Sequence, residues 1–541
     1  MGAPGLVCNL PPPRPAGAII VCVVALSGLL YGAIAVASDT KPGNSAARLK
    51  QMPRSWSLHA LRFLLGMSLV LAFFANIGDG NSQSAPNGAP KYVFLFLADG
   101  GGMAHLEIAR HYRKHIHNEG MVIVDKILKE GSLGIMTTHA ANSLSTDSAA
   151  AATAMAGGCK ANIGALGVCA DGTVAVSAME MARRRGMKLA LVTNSVVYDA
   201  SPAAFVCHVA NRRDYNAIVN RYLEMGPDIL LGGGREQFLP KSQPGSRRSD
   251  DIDMIAAFES KGYRQLATKE QLARVARGKV LGLFSERDMS FELDRDKQSE
   301  PSVYDMTAAT IRLLHEQNSR GFFAFIESES IDSAGHLTDI ASVVHEYREF
   351  DRAVGLAYEF YRRYPRETLI VVTSDHETGG LGFTEALKDF SSYANTNKTA
   401  GTVADLRKLQ TIGISLRKAS QMLGRSPTAE NLDKFMHDYF PGFSLAPEYR
   451  ESILKRLPVS RTISLDPTAN ALGMMIANHT QIYWQTSTHT NQPVLVAALG
   501  VGAERFKGYY DNADFGATLK ALIAGSSRAD NRAQTVFTPK R

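Results

Sequence analysis

Ser148 stands at the mouth of a run of small residues, Asp147-Ser148-Ala149-Ala150-Ala151-Ala152-Thr153-Ala154. Such a run reads as a helix, and its first turn is the positive end of the helix dipole, where a doubly charged oxyanion is best tolerated. On its own the pattern is more often an ordinary helix start, since Ser and Asp are both favoured caps. Residues further along favour the other reading. Asp99, Glu327, Asp332, His336, Asp375, His376 and His489 are of the types that ligate divalent cations. A serine beside such ions is a nucleophile.

The spacing of these residues strengthens the case. Asp99 follows the apolar run 92–98 (YVFLFLA) and precedes Gly100-Gly101-Gly102, which lets the backbone turn sharply. Glu327 ends the run 322–326 (FFAFI), and Asp332 and His336 follow it at a separation that puts both on one side of a helical turn. Asp375-His376 leaves the run 368–373 (TLIVVT) ahead of Gly379-Gly380, and His489 lies just before the last run, 494–499 (VLVAAL). Each alone has a plain structural explanation as a cap, a salt bridge or a surface imidazole. Together they require five coincidences of oxygen and imidazole ligands at one edge of one sheet, so a site for more than one metal ion is expected. His105, His111, His115 and His117 are read instead as a solvated helix face, and His208 as structural.

Ligands so far apart in the chain need a frame. Continuous apolar runs at 92–98, 189–193, 228–231, 280–284, 322–326, 368–373 and 494–499 read as strands buried on both faces. Helical patterns at 173–185, 304–317, 340–363 and 515–524 separate most of them. The alternation predicts a three-layer α/β/α sandwich, with function at the carboxyl ends of its strands. Residues 382–488 break the rhythm with helical pieces at 403–423, 428–439 and 447–457, and are read as an inserted cap or crown. The expected organisation is a leader over 1–80, a linker over 81–91, a catalytic α/β domain over 92–381 plus 489–524, the cap over 382–488, and a disordered tail over 525–541.

With 541 residues, 45% of them apolar, the chain can bury a large core. Four of its seven net positive charges fall within residues 1–80, and the rest of the chain has no dense Lys/Arg run, which argues against a nucleic-acid-binding surface. Residues 17–38 carry no charge over a length that spans a bilayer. Residues 58–77 resemble the apolar core of a secretory signal, with Met52-Pro53-Arg54 before it. Either the chain begins functionally at Met52, or both segments insert with 41–62 on the cytoplasmic side. Both readings export everything after residue 80, to the periplasm or the extracellular side, with anchoring through 17–38 and/or 58–77 as one form. Cys159, Cys169 and Cys207 follow the leader, and pairing of the first two is left open.

The segments ADGGGM (98–103), STDSAAAATA (145–154), KANIGALGV (160–168), DASPAAFVCHVANR (199–212), ESESIDSAGH (327–336), VVTSDHETGG (371–380) and STHT (487–490) resemble, in order, those of the alkaline phosphatases. The resemblance covers roughly residues 90–380 and 485–525. It implies that Ser148 becomes phosphoserine and that Asp99, Asp375 and His376 hold a zinc ion beside it. It gives a second zinc to Asp332, His336 and His489, and a magnesium to Asp99, Ser201 and Glu327. Arg212 would clamp the phosphate, and Asp199 would stand behind the magnesium and phosphate. The implied activity is hydrolysis of phosphate monoesters by two in-line displacements, in an enzyme that is commonly a homodimer. A phosphodiesterase or sulfatase and an inactive metal-binding protein are the rivals; no Cys/Ser-x-Pro-x-Arg pattern lies near Ser148. Two departures stand out. Ala98 replaces the usual glycine, and Ser333 stands where some members with an Asp at the Asp199 position carry Lys. The second predicts looser retention of phosphate.

Overall fold

The computed structural model describes residues 88–316, 320–387 and 398–525. The apolar segments at 17–38 and 58–77 and nearly all of the 525–541 tail lie outside the described residues. Ten strands form one sheet: β1 (Tyr92–Ala98), β2 (Ser132–Thr137), β3 (Lys188–Val196), β4 (Ile229–Gly233), β5 (Tyr263–Leu266), β6 (Lys279–Leu283), β7 (Phe322–Ser328), β8 (Thr368–Thr373), β9 (Val494–Gly500) and β10 (Gly508–Asp511). Their order is β10-β2-β9-β8-β1-β7-β3-β4-β6-β5.

β1 is fully buried because it lies between β7 and β8 with helices over both faces. Tyr92, Phe94 and Phe96 point into one core with Phe322, Ala324 and Ile326. Val93, Leu95 and Leu97 point into the other with Phe323 and Phe325. The strand's alternation thus feeds two cores at once, which is why its sequence shows no polar position. The helix Ile340–Arg363 lines the first core, and Ser148–Gly157 and Asn512–Ala524 line the second. This is the expected α/β/α architecture.

One strand of the sheet runs against the others. β9 runs antiparallel to both β8 and β2, while every other pair is parallel. Apolar periodicity carries no direction, so the reversal was not legible, yet it decides where His489 falls. It brings the start of β9, and His489 just ahead of it, to the edge where the parallel strands end. β2, β5 and β10 were also not anticipated. They are short; β2 buries only alternate residues and β5 only its two end residues, so neither gives a continuous apolar run.

Five helices frame the site: α1 (Ser148–Gly157), α2 (Ala200–Ala204), α3 (Ser330–His336), α4 (Ile340–Arg363) and α5 (Leu416–Leu423). Every residue of α1 is buried. Its alanines reflect close packing against Asn512–Ala524, where a side chain on Gly516 would meet the Ala154 carbonyl at 2.2 Å. The helix expected over 173–185 begins only at Ala178, where Ser177 and Glu180 form a capping box. The pattern at 403–423 divides into Val403–Lys408, a 3-10 turn and α5, which Ser415 caps afresh. The helix Pro467–Thr480 was not anticipated, although Asp466-Pro467 is a start signal. Cys159 and Cys169 form a disulfide with 5.7 Å between their Cα atoms, and Cys207 is buried and free. Among the described residues, no helix is long and apolar enough to cross a membrane.

Candidate metal centre and nucleophile

Asp147 caps α1 by accepting from the Ala150 N–H at 3.0 Å, which leaves the Ser148 hydroxyl at the helix mouth. Ser148 is 5% exposed. Its Oγ lies 3.2 Å from Nε2 of His376, which in turn is 3.2 Å from an Asp375 oxygen and 3.5 Å from an Asp99 oxygen. Asp99 leaves β1 and Asp375 leaves β8, its immediate neighbour, so their convergence follows directly from strand order. Gly100 makes the approach possible. Its φ is 68°, and a Cβ there would sit 2.5 Å from Asp332 Oδ1.

Asp332 and His336 meet across one turn of α3 at 3.1 Å. His489 Nε2 lies 3.1 Å from His336 Nε2 and 3.7 Å from Asp332 Oδ1, and its ring stacks on His376 with centroids 3.7 Å apart. Backbone carbonyls set both imidazoles: His336 Nδ1 is 2.7 Å from Ser487 O, and His489 Nδ1 is 2.8 Å from Thr146 O. A carbonyl can only accept, so Nδ1 carries the proton in each ring and the neutral form offers the Nε2 lone pair to the centre. Thr378, not singled out from the sequence, bridges the two halves by donating to Asp332 while lying 3.3 Å from His376 Nδ1. It lies inside the Asp375–Gly380 turn already marked for its ligands, which is where a search could have found it.

Ser201, on α2, donates to Asp99 Oδ2 at 3.1 Å. Glu327 is fully buried in β7, in register with Leu97 two residues before Asp99. Arg212 donates to Asp147 and to Asp199, at 3.1 Å each. Asp147 is therefore committed as cap and clamp. His208 bridges Gly167 O at 3.0 Å and Glu180 at 2.9 Å, the structural role expected of it. His105 corrects the reading of its group as a solvated face. It is buried, packs edge-on against Trp484, and is held neutral by that burial with a pKa lowered to about 4. The apolar residues around it are on the helix face turned to the core, and Trp484 comes from far along the chain.

Electrostatics divide the site. Burial raises the Asp99 carboxyl well above its ordinary range, and Asp375 and Asp332 raise it further. Burial, then Asp332, brings Asp375 to about 7, and burial, then Asp199, raises Glu327. Asp99 Oδ1, Asp375 Oδ2 and both Glu327 oxygens are buried without a hydrogen-bond partner. Such oxygens are costly unless a cation completes them. Asp332 is the reverse case: burial pushes it up, but His336, His489 and His376 outweigh this and hold it well below the carboxylate range. Asp332, His376 and His489 form one group of ligand atoms all within 4.8 Å of one another, and Asp99, Asp375 and His376 form a second. Carboxylates and imidazoles at this spacing fit divalent cations.

A three-layer α/β/α sandwich whose strand ends gather these donors around a buried serine has the build of a metal-dependent hydrolase. A family model described as alkaline phosphatase matches residues 90–524, and the chain belongs to that family. It is an enzyme, a hydrolase of phosphate monoesters. It is 31% identical over 469 residues to the repressible alkaline phosphatase of Saccharomyces cerevisiae, covering 80% of each chain. Identity to the alkaline phosphatase of Schizosaccharomyces pombe is 29% over 488 residues, covering 87% of this chain and 88% of that one. Among solved structures, the Thermus thermophilus alkaline phosphatase superposes with a TM-score of 0.71 at 26% identity, over 82% of this chain and 94% of that one. The cold-active enzyme from a psychrophilic Shewanella gives 0.64 at 28%, over 80% and 99%.

Proposed function

We propose that this chain cleaves phosphate monoesters through a phosphoserine formed on Ser148. The observation that carries the reading is Ser148 Oγ, at a helix N-terminus, lying 3.2 Å from an imidazole shared by both groups of ligand atoms. Asp99, Asp375 and His376 would hold one zinc, Asp332, His336 and His489 a second, and Asp99, Ser201 and Glu327 a magnesium. When bound, these ions would lower the pKa of the serine hydroxyl and of a water, and would offset charge on the departing oxygen.

Ser148 Oγ attacks phosphorus as the bond to the leaving alcohol breaks in line. Water then attacks the phosphoserine, the Ser148 Oγ–P bond breaks, and Ser148 recovers a proton as inorganic phosphate leaves. Each displacement inverts phosphorus, so the two together retain its configuration. Arg212 binds the outer phosphoryl oxygens. Asp147 and Asp199 fix its guanidinium and leave N–H donors on both terminal nitrogens, the planar fork that phosphate accepts. Burial lowers the Arg212 pKa, but Asp199 and Asp147 outweigh that and raise it, so the fork stays charged.

The remaining assignments belong to the same proposal. Residues 92–381 with 489–524 are the catalytic domain, 382–488 the cap, 81–91 the linker and 1–80 an export leader or anchor. The Cys159–Cys169 disulfide fits an oxidising, exported compartment. The outer strands β2 and β10 expose Leu133 and Tyr509, a face suited to a homodimer. Comparing nitrophenyl phosphate with bis-nitrophenyl phosphate tests the reaction class. Preferred cleavage of the monoester is expected, and preference for the diester would replace this reading with a phosphodiesterase.

A further inference from the structure

Beside His336 lies a cavity of about 670 Å³, lined by Ser333, His336 and Leu337 of the catalytic segment and by Arg417 and Lys418 at the start of α5. A cleft of that size holds an organic leaving group, with room beyond a lone phosphate. Sign alone does not say which group, because Asp288, Asp294 and Asp466 line it as well. Their hydrogen bonds do. Asp294 accepts from the Ser415 N–H at 3.0 Å and from its hydroxyl. Asp466 accepts from the Ser420 hydroxyl and from two N–H groups at the start of its own helix. Asp288 accepts from the Ser195 hydroxyl at 3.3 Å.

Of the three Arg and Lys side chains on the lining, Arg287 donates to Glu236 at 3.1 Å, and the other two are less engaged. Lys418 has no acidic partner among the described residues. Arg417 lies over the Phe291 ring at 4.3 Å, and its ion pair with Asp288, at 3.6 Å, is longer than a hydrogen bond. The ring fixes the plane of the guanidinium and leaves its N–H edge for a ligand. The base of α5 is fixed too. The Leu416 N–H donates at 2.7 Å to Asp339, which also caps α4 just after α3. One carboxylate therefore ties the segment carrying Arg417 to the segment carrying His336, so the cations are positioned before a substrate arrives.

We propose that Arg417 and Lys418 are specificity residues that read a further negative charge on the leaving group, so that preferred substrates are phosphate monoesters of alcohols bearing an additional anionic group. This deepens the phosphatase reading and rests on it. The test measures kcat/KM for 4-carboxyphenyl phosphate and for phenyl phosphate with the full chain loaded with zinc and magnesium. The wild type should favour the carboxylated ester by about tenfold, mostly through KM. Lys418→Gln and Arg417→Gln should each reduce the ratio several-fold. Lys418 is exposed, so its variant keeps the test alive if the Arg417 variant misfolds. Lys434→Gln removes an equal charge from a cap side chain outside the cavity that is 76% exposed, and should leave the ratio in place. Equal use of both esters by the wild type, an unmoved ratio in both cavity variants, or an equal shift from Lys434→Gln overturns the inference and leaves the phosphatase reading standing. Failure to cleave either ester overturns both.

Discussion

The two halves of the site share His376 but are balanced differently. Around Asp99, Asp375 and Glu327, carboxyls are buried with oxygens that no donor reaches. Around Asp332, two imidazoles answer one carboxylate, and the group is neutralised from within. The first half is therefore strained until a cation arrives, whereas the second is a ready ion pair from which a cation must displace protons. In the proposed mechanism Ser148 depends on both.

The severest way to break this comparison is to remove what the halves share. Ser148→Ala should lower turnover by on the order of 10³-fold or more while leaving zinc and magnesium content unchanged. Loss of metal along with activity would make the serine a ligand or a structural residue. Next in size is a pair of opposed stability changes in metal-stripped protein. Asp332→Asn should lower the melting temperature, since it leaves a buried imidazolium without its partner, a defect that costs about 3–5 kcal/mol. Asp99→Asn should raise it, by relieving repulsion among buried carboxyls. Calorimetry in chelator reads both signs, and changes in the same direction would show that the halves do not differ as described.

pH sharpens the contrast further. In the folded metal-free chain the His336 pKa is raised to about 9: burial opposes the shift, and Asp332 outweighs it. A raised imidazole stabilises fully below its unfolded pKa of roughly 6.5, and that stability is lost as pH rises through about 9. Asp375, raised to about 7, adds a cost that grows from about pH 4 to about pH 7 and stays above it. Both act in one direction. Below about pH 6.5 the buried imidazoles of His105, His376 and His489, all lowered by burial, oppose this trend. Above it they are neutral in both states, so the melting temperature of stripped protein should fall from about pH 6.5 to about pH 9. Zinc and magnesium should flatten that slope by replacing the protons; an equal slope with and without metal would contradict the assignment. The smallest effect is at Ser333, which donates to Glu329 at 2.7 Å and brings no positive charge to the centre. Ser333→Lys should tighten inhibition by inorganic phosphate roughly threefold to tenfold, as a near-neighbour charge would. Unchanged inhibition would count against Ser333 as the cause of looser phosphate retention.

Much of the frame was legible because it rests on continuous apolar strands. Tyr92–Ala98, Phe322–Ser328 and Thr368–Thr373 are central strands buried on both faces, so composition alone marks them. Asp99, Glu327 and Asp375 at or just past their ends were legible for the same reason. The direction of β9 was not, because hydrophobicity is the same read either way. Thr378 and the carbonyls of Thr146 and Ser487 escaped because backbone oxygens and a single hydroxyl leave no sequence pattern. His105 was misjudged from its polar neighbours, when the partner that buries it, Trp484, lies nearly 400 residues away in the chain.

The central claim is that strand ends gather cations onto one serine. Its most direct test is anomalous diffraction at the zinc edge from crystals of the full chain soaked with zinc, magnesium and vanadate. The account predicts two zinc peaks roughly 4 Å apart, one against Asp99, Asp375 and His376 and the other against Asp332, His336 and His489, with vanadium bonded to Ser148 Oγ between them. Zinc peaks away from these residues, or vanadate bound without contact to Ser148, would contradict it.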